Sequence, residues 1–161
     1  MTWTGPPRPC PAGCDGWWAV RAILLPLPDG DVALPVEVVR EVVAAPPVTA
    51  LPGTPQPVLG VFNLRGEVLP VLDTKAALGG QPGGSAAYGV VAASGTDLVA
   101  LTASGMPSIV DLDHRAQPSE TPGTAGSHLF QGRLVTVLDL PALLAHAGLR
   151  SDALPPRAGA R

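Results

Sequence analysis

Charged side chains are scarce in this sequence. They make up 14% of its 161 residues, against about 25% in ordinary soluble domains. One lysine, Lys75, stands among nine scattered arginines, and the formal net charge is −3. A nucleic-acid partner requires clustered basic residues, so that class of partner is excluded. Aromatic residues are equally few, at 4%. The core has to be built from Val, Leu and Ala, whose small side chains suit thin β layers. No apolar run reaches the roughly 18 residues that a membrane-spanning helix needs. Pro6, Pro7, Pro9 and Pro11 interrupt the N-terminus, which lacks a signal peptide's apolar stretch, so a cytoplasmic protein is expected.

Cysteine is limited to Cys10 and Cys14, a C-x3-C in a Pro/Gly-rich segment. No further ligands follow at zinc-like spacing, and the two read as incidental thiols. The histidines, His114, His128 and His146, stand alone, with no acid or second histidine at i, i+4. Ser94 and Ser104 lack the G-x-S-x-G setting of a nucleophile elbow. Gly79, Gly80, Gly83 and Gly84 follow a helical segment rather than precede one, and no Gly-Lys-Ser/Thr accompanies them, so they are not a phosphate loop. No catalytic residue, cofactor or metal is expected. An enzyme or thiol/metal protein built on Cys10 and Cys14 is the remote alternative.

What the chain does have is short, clean apolar runs. Gly and Pro account for 39 residues, many of them in two end segments. Residues 1–16 are expected to be a flexible Pro/Gly-rich arm and residues 150–161 a flexible tail, leaving one folded domain over 17–149. Trp17 to Leu27 reads as a first strand, Asp29-Gly30-Asp31 as a turn and Val32 to Pro35 as a second strand. Val36 to Val43 mixes helix-compatible charges with β-branched residues, and a turn of helix running into a strand is expected. Ala44 to Pro57, with five prolines, is an extended connector.

Val58 to Asp73 is the stretch around which the rest is organised. Two Val/Leu-rich arms flank a polar knot, Asn63 to Glu67, and Arg65-Gly66 supplies a tight reversal. The expectation is a hairpin with an arginine at its tip. Asp73 is a helix N-cap, with a helical turn over Thr74 to Leu78 ended by Gly79. Tyr88 to Ser94 and Leu98 to Thr102 form a further hairpin, Met106 to Leu112 a further strand, and Asp113 to Ser127 a polar loop. Gly132 to Asp139 then repeats the pattern of Gly66 to Asp73, again followed by a short helix, Leu140 to Ala147, closed by Gly148. Asp73 and Asp139 stand at the same place in each copy and read as caps, not as a carboxylate pair. Two copies of one β-β-α unit predict two similar small barrels packed together.

The run Val58-Leu-Gly-Val-Phe-Asn-Leu-Arg-Gly-Glu-Val-Leu-Pro-Val-Leu-Asp73 resembles the signature of the CheW-like domain family, the chemotaxis coupling proteins. Val39-Arg-Glu-Val42 and Gly132 to Asp139 resemble two further family segments, and the resemblance covers Trp18 to Leu144. It implies an all-β fold with short helices: two SH3-like five-stranded β-barrel subdomains around a shared hydrophobic core. It also implies a non-enzymatic adaptor coupling a chemoreceptor's cytoplasmic helical-hairpin tip to the regulatory domain of a histidine kinase. CheW-like ring neighbours are possible further partners, and any membrane association would be indirect, through receptors. On the same ground the receptor groove would be formed by Arg65, Asn63, Val39, Glu41, Leu64 and Gly66. Val39 would give apolar contact and Arg65 a polar clamp. The sequence departs from the family pattern at Val99 to Pro107, where Thr102-Ala103 replaces Val-Asp. That departure motivates the alternative of a divergent scaffold serving another chemosensory system, such as type IV pilus motility.

Overall fold

In a computed structural model, residues 20–54, 56–82, 86–112 and 118–149 are described. The arm, Trp17 and Trp18, both cysteines, Gly83, Gly84, His114 and the tail lie outside them.

Among the described residues, ten strands and two short helices follow in chain order: β1 Val20–Leu25, β2 Val32–Pro35, β3 Val39–Ala44, β4 Val58–Leu64, β5 Glu67–Leu72, α1 Thr74–Ala77, β6 Tyr88–Ser94, β7 Asp97–Ala103, β8 Ser108–Leu112, β9 Thr124–Phe130, β10 Arg133–Leu138 and α2 Leu140–His146. A 3-10 turn over Val36–Val38 leads straight into β3. This is the helical turn running into a strand that the mixed composition of that segment implies.

The strands form two five-stranded sheets, in the orders β8-β1-β2-β10-β9 and β3-β6-β7-β5-β4. Each curls into an SH3-like barrel; we call them lobe one and lobe two. Their construction is the same. Each has a hairpin (β1-β2 or β6-β7) joined in parallel to the second arm of another hairpin (β9-β10 or β4-β5). The fifth strand crosses over: β3 leaves β2 to pair with β6, and β8 leaves β7 to pair with β1. In both copies the strand pair ends in an aspartate that caps a helix. Asp73 Oδ1 accepts from the Ala76 N–H at 3.1 Å, and Asp139 Oδ1 from the Ala142 N–H at 3.3 Å. Capping of this kind contributes about 1 kcal/mol per helix.

The long apolar runs follow from burial on both sheet faces. Successive strand residues point to opposite sides. In β1, Ile23 and Leu25 join a central cluster between the lobes, while Ala22 and Leu24 fill lobe one. In β7, Val99, Leu101 and Ala103 face the centre and Ala100 faces the interior of lobe two. Leu140, Leu143 and Leu144 of α2 and Ala77 of α1 close the central cluster. With so few aromatics, Phe62 is the only one among the buried core residues that are described.

Three boundaries differ from the sequence reading by more than one residue. The first strand ends at Leu25, because Pro26 and Pro28 flank the turn that follows. The strand expected from Met106 begins at Ser108. The expected loop to Ser127 gives up Thr124–Ser127 to β9, a strand whose Gly126, Ser127 and His128 carry no apolar alternation. These three are nonetheless buried against β10.

Candidate protein-contact site

The hairpin of β4 and β5 turns through two residues, Arg65 and Gly66, at φ 53° and 88°. Two consecutive positive φ values make the turn type that matches strand twist in two-residue hairpins. Glycine adopts this freely, but an arginine does so at a penalty of about 1–2 kcal/mol. Asn63 holds the turn closed, its Oδ1 accepting the Gly66 N–H at 2.8 Å. The arms below are pinned by Phe62 and Leu69, which pack inside lobe two with Leu64 against them.

The Arg65 side chain is 79% exposed, and its Nη2 lies 3.1 Å from Oε2 of Glu41, whose side chain is 27% exposed. Glu41 belongs to β3 and Arg65 follows β4, the two outermost strands of this sheet. The ion pair therefore spans the seam at which the barrel closes. An exposed pair of this sort contributes about 0–1 kcal/mol. It orients the guanidinium without sequestering it, since a guanidinium carries five N–H donors. At the other end of β4 the seam is covered by the connector, where Thr49 and Val61 exchange backbone hydrogen bonds of 2.8 and 2.9 Å. A Cβ on Gly60 (φ 156°) would stand 2.2 Å from the Thr49 carbonyl oxygen, so this crossing demands glycine.

The six residues singled out from the sequence do not all face one way. Cross-strand partners share a face. Val39 pairs with Ala92, which is in the central cluster, whereas Glu41 pairs with Val91, inside lobe two. A bulge at Arg40 makes this switch. Asn63 and its partner Val68 alternate with Phe62 and Leu69, which point into lobe two, and so lie on the opposite side, the face toward lobe one that carries the central cluster, as Val39 does. The structure thus brings Arg65 and Glu41 into contact at the barrel mouth, with Asn63 and Gly66 building the turn. It places Val39 on the adjoining face and half-buries Leu64 as packing.

At the second tip, Gln131 and Gly132 repeat the turn, at φ 48° and 75°. Here the arginine is two positions later, at the place of Glu67: Arg133 Nη2 lies 2.8 Å from Asp31 Oδ2. Where the first tip carries Asn63 and Val68, the second carries Leu129 and Leu134, 58% and 57% exposed. The sequence reading passed over these leucines, although an outward Leu pair beside a turn is legible once β9 is known. Of the departing segment Val99 to Pro107, Val99 to Ala103 is buried, whereas Ser104 and Met106 are exposed. Thr102 Oγ1 accepts the Thr74 N–H at 3.2 Å, and its carbonyl accepts the Thr74 hydroxyl at 2.7 Å. Thr102 anchors α1 rather than presenting a surface. Among the described residues no group of three or more His, Cys, Asp or Glu is placed to hold a metal, and no helix is long and apolar enough to cross a membrane.

Two SH3-like barrels sharing one core define a two-lobed β scaffold. The chain belongs to the CheW-like domain family, whose model matches residues 21–148. It is 41% identical over 63 residues to the probable chemotaxis protein CheW of Rhizobium etli, a match covering 39% of this chain and 41% of that protein. It is 45% identical over 51 residues to the chemotaxis protein CheW of Rhizobium meliloti, covering 32% and 33% of the two chains. The chain thus spans 41% and 33% of the lengths of these two relatives in the matches. In fold it is similar to the scaffolding protein TtCheW of Thermoanaerobacter tengcongensis, with a TM-score of 0.67 at 19% identity over 76% of this chain and 90% of that one.

Proposed function

We propose that this protein is a non-enzymatic, cytoplasmic adaptor of chemotaxis signalling. In this reading it joins the helical-hairpin tip of a chemoreceptor to the regulatory domain of a histidine kinase. Family membership and the names of the two Rhizobium relatives support the pathway. One observation carries the contact site. Arg65 is held at a left-handed backbone position on a two-residue tip, exposed, and oriented by Glu41. A strained, pre-positioned arginine above a rigid apolar scaffold is the kind of residue that anchors an interface. Its planar fork suits the carboxylates and carbonyls of a helix end or hairpin. The adjoining lobe-facing surface with Val39 and Val68 supplies apolar contact for a helix lying alongside. Each contact is weak, and multivalent packing of receptors and adaptors, including CheW-like ring neighbours, raises the effective affinity.

The test is reconstitution on vesicles that display receptor cytoplasmic tips. The kinase is expected to sediment with the vesicles only when this chain is present. Sedimentation of the kinase to the same extent without the chain contradicts the adaptor role, as does failure of the chain itself to sediment.

A further inference from the structure

The connection between β1 and β2, residues 26–31, holds on to three other parts of the molecule. The Pro26 carbonyl accepts both the N–H and the hydroxyl of Ser104, each at 2.9 Å, just beyond β7 of lobe two. Asp29 is ion-paired with Lys75 on α1, again in lobe two. Asp31 is ion-paired with Arg133 at the tip of the β9-β10 hairpin in lobe one. Gly30, at φ 145°, is the only residue between the two aspartates, and its N–H donates to the Leu27 carbonyl at 3.3 Å.

In each pair one partner's side chain is sheltered and the other's exposed: Lys75, the chain's one lysine, is 21% exposed against 73% for Asp29, and Asp31 is 17% exposed against 75% for Arg133. Sheltering one partner reduces the screening that the pair suffers. The arrangement is also one-sided. Asp139 occupies in lobe one the place that Asp73 occupies in lobe two, so Lys75 corresponds to Pro141, which has no charge to offer. Behind Lys75, the Thr74–Thr102 pair fixes α1 to β7.

We propose that the Asp29–Gly30–Asp31 turn is a coupling element. By gripping α1 with one carboxylate and the β9-β10 tip with the other, it transmits displacement of α1 in lobe two to the hairpin tip of lobe one. The two grips share one short backbone segment, so loosening one frees the segment to loosen the other. The coupling is a property of the free chain and does not rest on the adaptor reading.

The experiment is amide hydrogen exchange on the full chain and on Lys75→Met, with Asp29→Asn as a second, milder variant, under conditions where all three are folded by circular dichroism. Lys75→Met is expected to speed exchange at Gly30 and also at residues 130–133, in the other lobe, by about fivefold, the factor equivalent to ~1 kcal/mol of local stability. Arg133→Gln is expected to produce the reciprocal change at residues 75–78, as coupling requires. Faster exchange confined to α1 and the turn, with residues 130–133 unchanged in both Lys75→Met and Asp29→Asn, overturns the proposal.

Discussion

Arg65 occupies a backbone position that asparagine or glycine would hold with less strain. Stability and binding should therefore respond to its replacement with opposite signs. Arg65→Asn is expected to raise the urea-unfolding free energy by about 1 kcal/mol while weakening the hold on a receptor tip. A variant that loses both would point to an arginine that serves the fold. Gly60 is the opposite case, a residue whose whole value is structural. Gly60→Ala puts a methyl group into the Thr49 carbonyl, and it should destabilise the protein by at least about 2 kcal/mol through clash and strain. Urea titration reads this out, and a change under about 0.5 kcal/mol, the usual range for harmless surface substitutions, would show that the connector does not need its crossing at Thr49.

At the scale of elements, hairpins and caps repeat. The aspartate caps differ in burial: Asp73 is 3% exposed, whereas Asp139 is half-buried. Asp73→Ala and Asp139→Ala are each expected to lower stability by about 1 kcal/mol, with the larger loss at Asp73, and thermal denaturation of the two variants ranks them. Strands buried on both faces, such as β5 and β7, were legible because their apolar runs are nearly unbroken. The repeat of Gly66 to Asp73 in Gly132 to Asp139 was legible for the same reason. β9 was not, because Gly126, Ser127 and His128 are buried by tertiary packing without looking apolar. The facing of Val39 and Glu41 was not legible either. Simple alternation puts residues two apart on one face, and the bulge at Arg40 that separates them leaves no mark in composition. The contact between Arg65 and Glu41, 24 positions apart, exists only because the sheet curls until β3 and β4 meet.

For the whole molecule, the decisive feature is the central cluster shared by both lobes. Leu25 and Leu34 of lobe one touch the same buried layer as Leu72, Leu101 and Val90 of lobe two, all essentially inaccessible. Neither barrel is complete without this layer, so unfolding should be a single cooperative transition, and two resolved transitions in calorimetry would contradict a shared core. Leu101→Ala should lower stability by about 2–5 kcal/mol. In the proposed adaptor role the scaffold's rigidity serves to hold the arginine at its tip, and that link is open to a direct test. The measurement is the dissociation constant for a receptor cytoplasmic tip, compared between the natural chain, Arg65→Asp and, as a control at the other tip, Arg133→Asp, with folding verified by circular dichroism. Arg65→Asp is expected to weaken binding by about 30-fold, the equivalent of a 2 kcal/mol hot spot, and Arg133→Asp to leave it nearly unchanged. Undiminished binding by a folded Arg65→Asp variant would contradict the account.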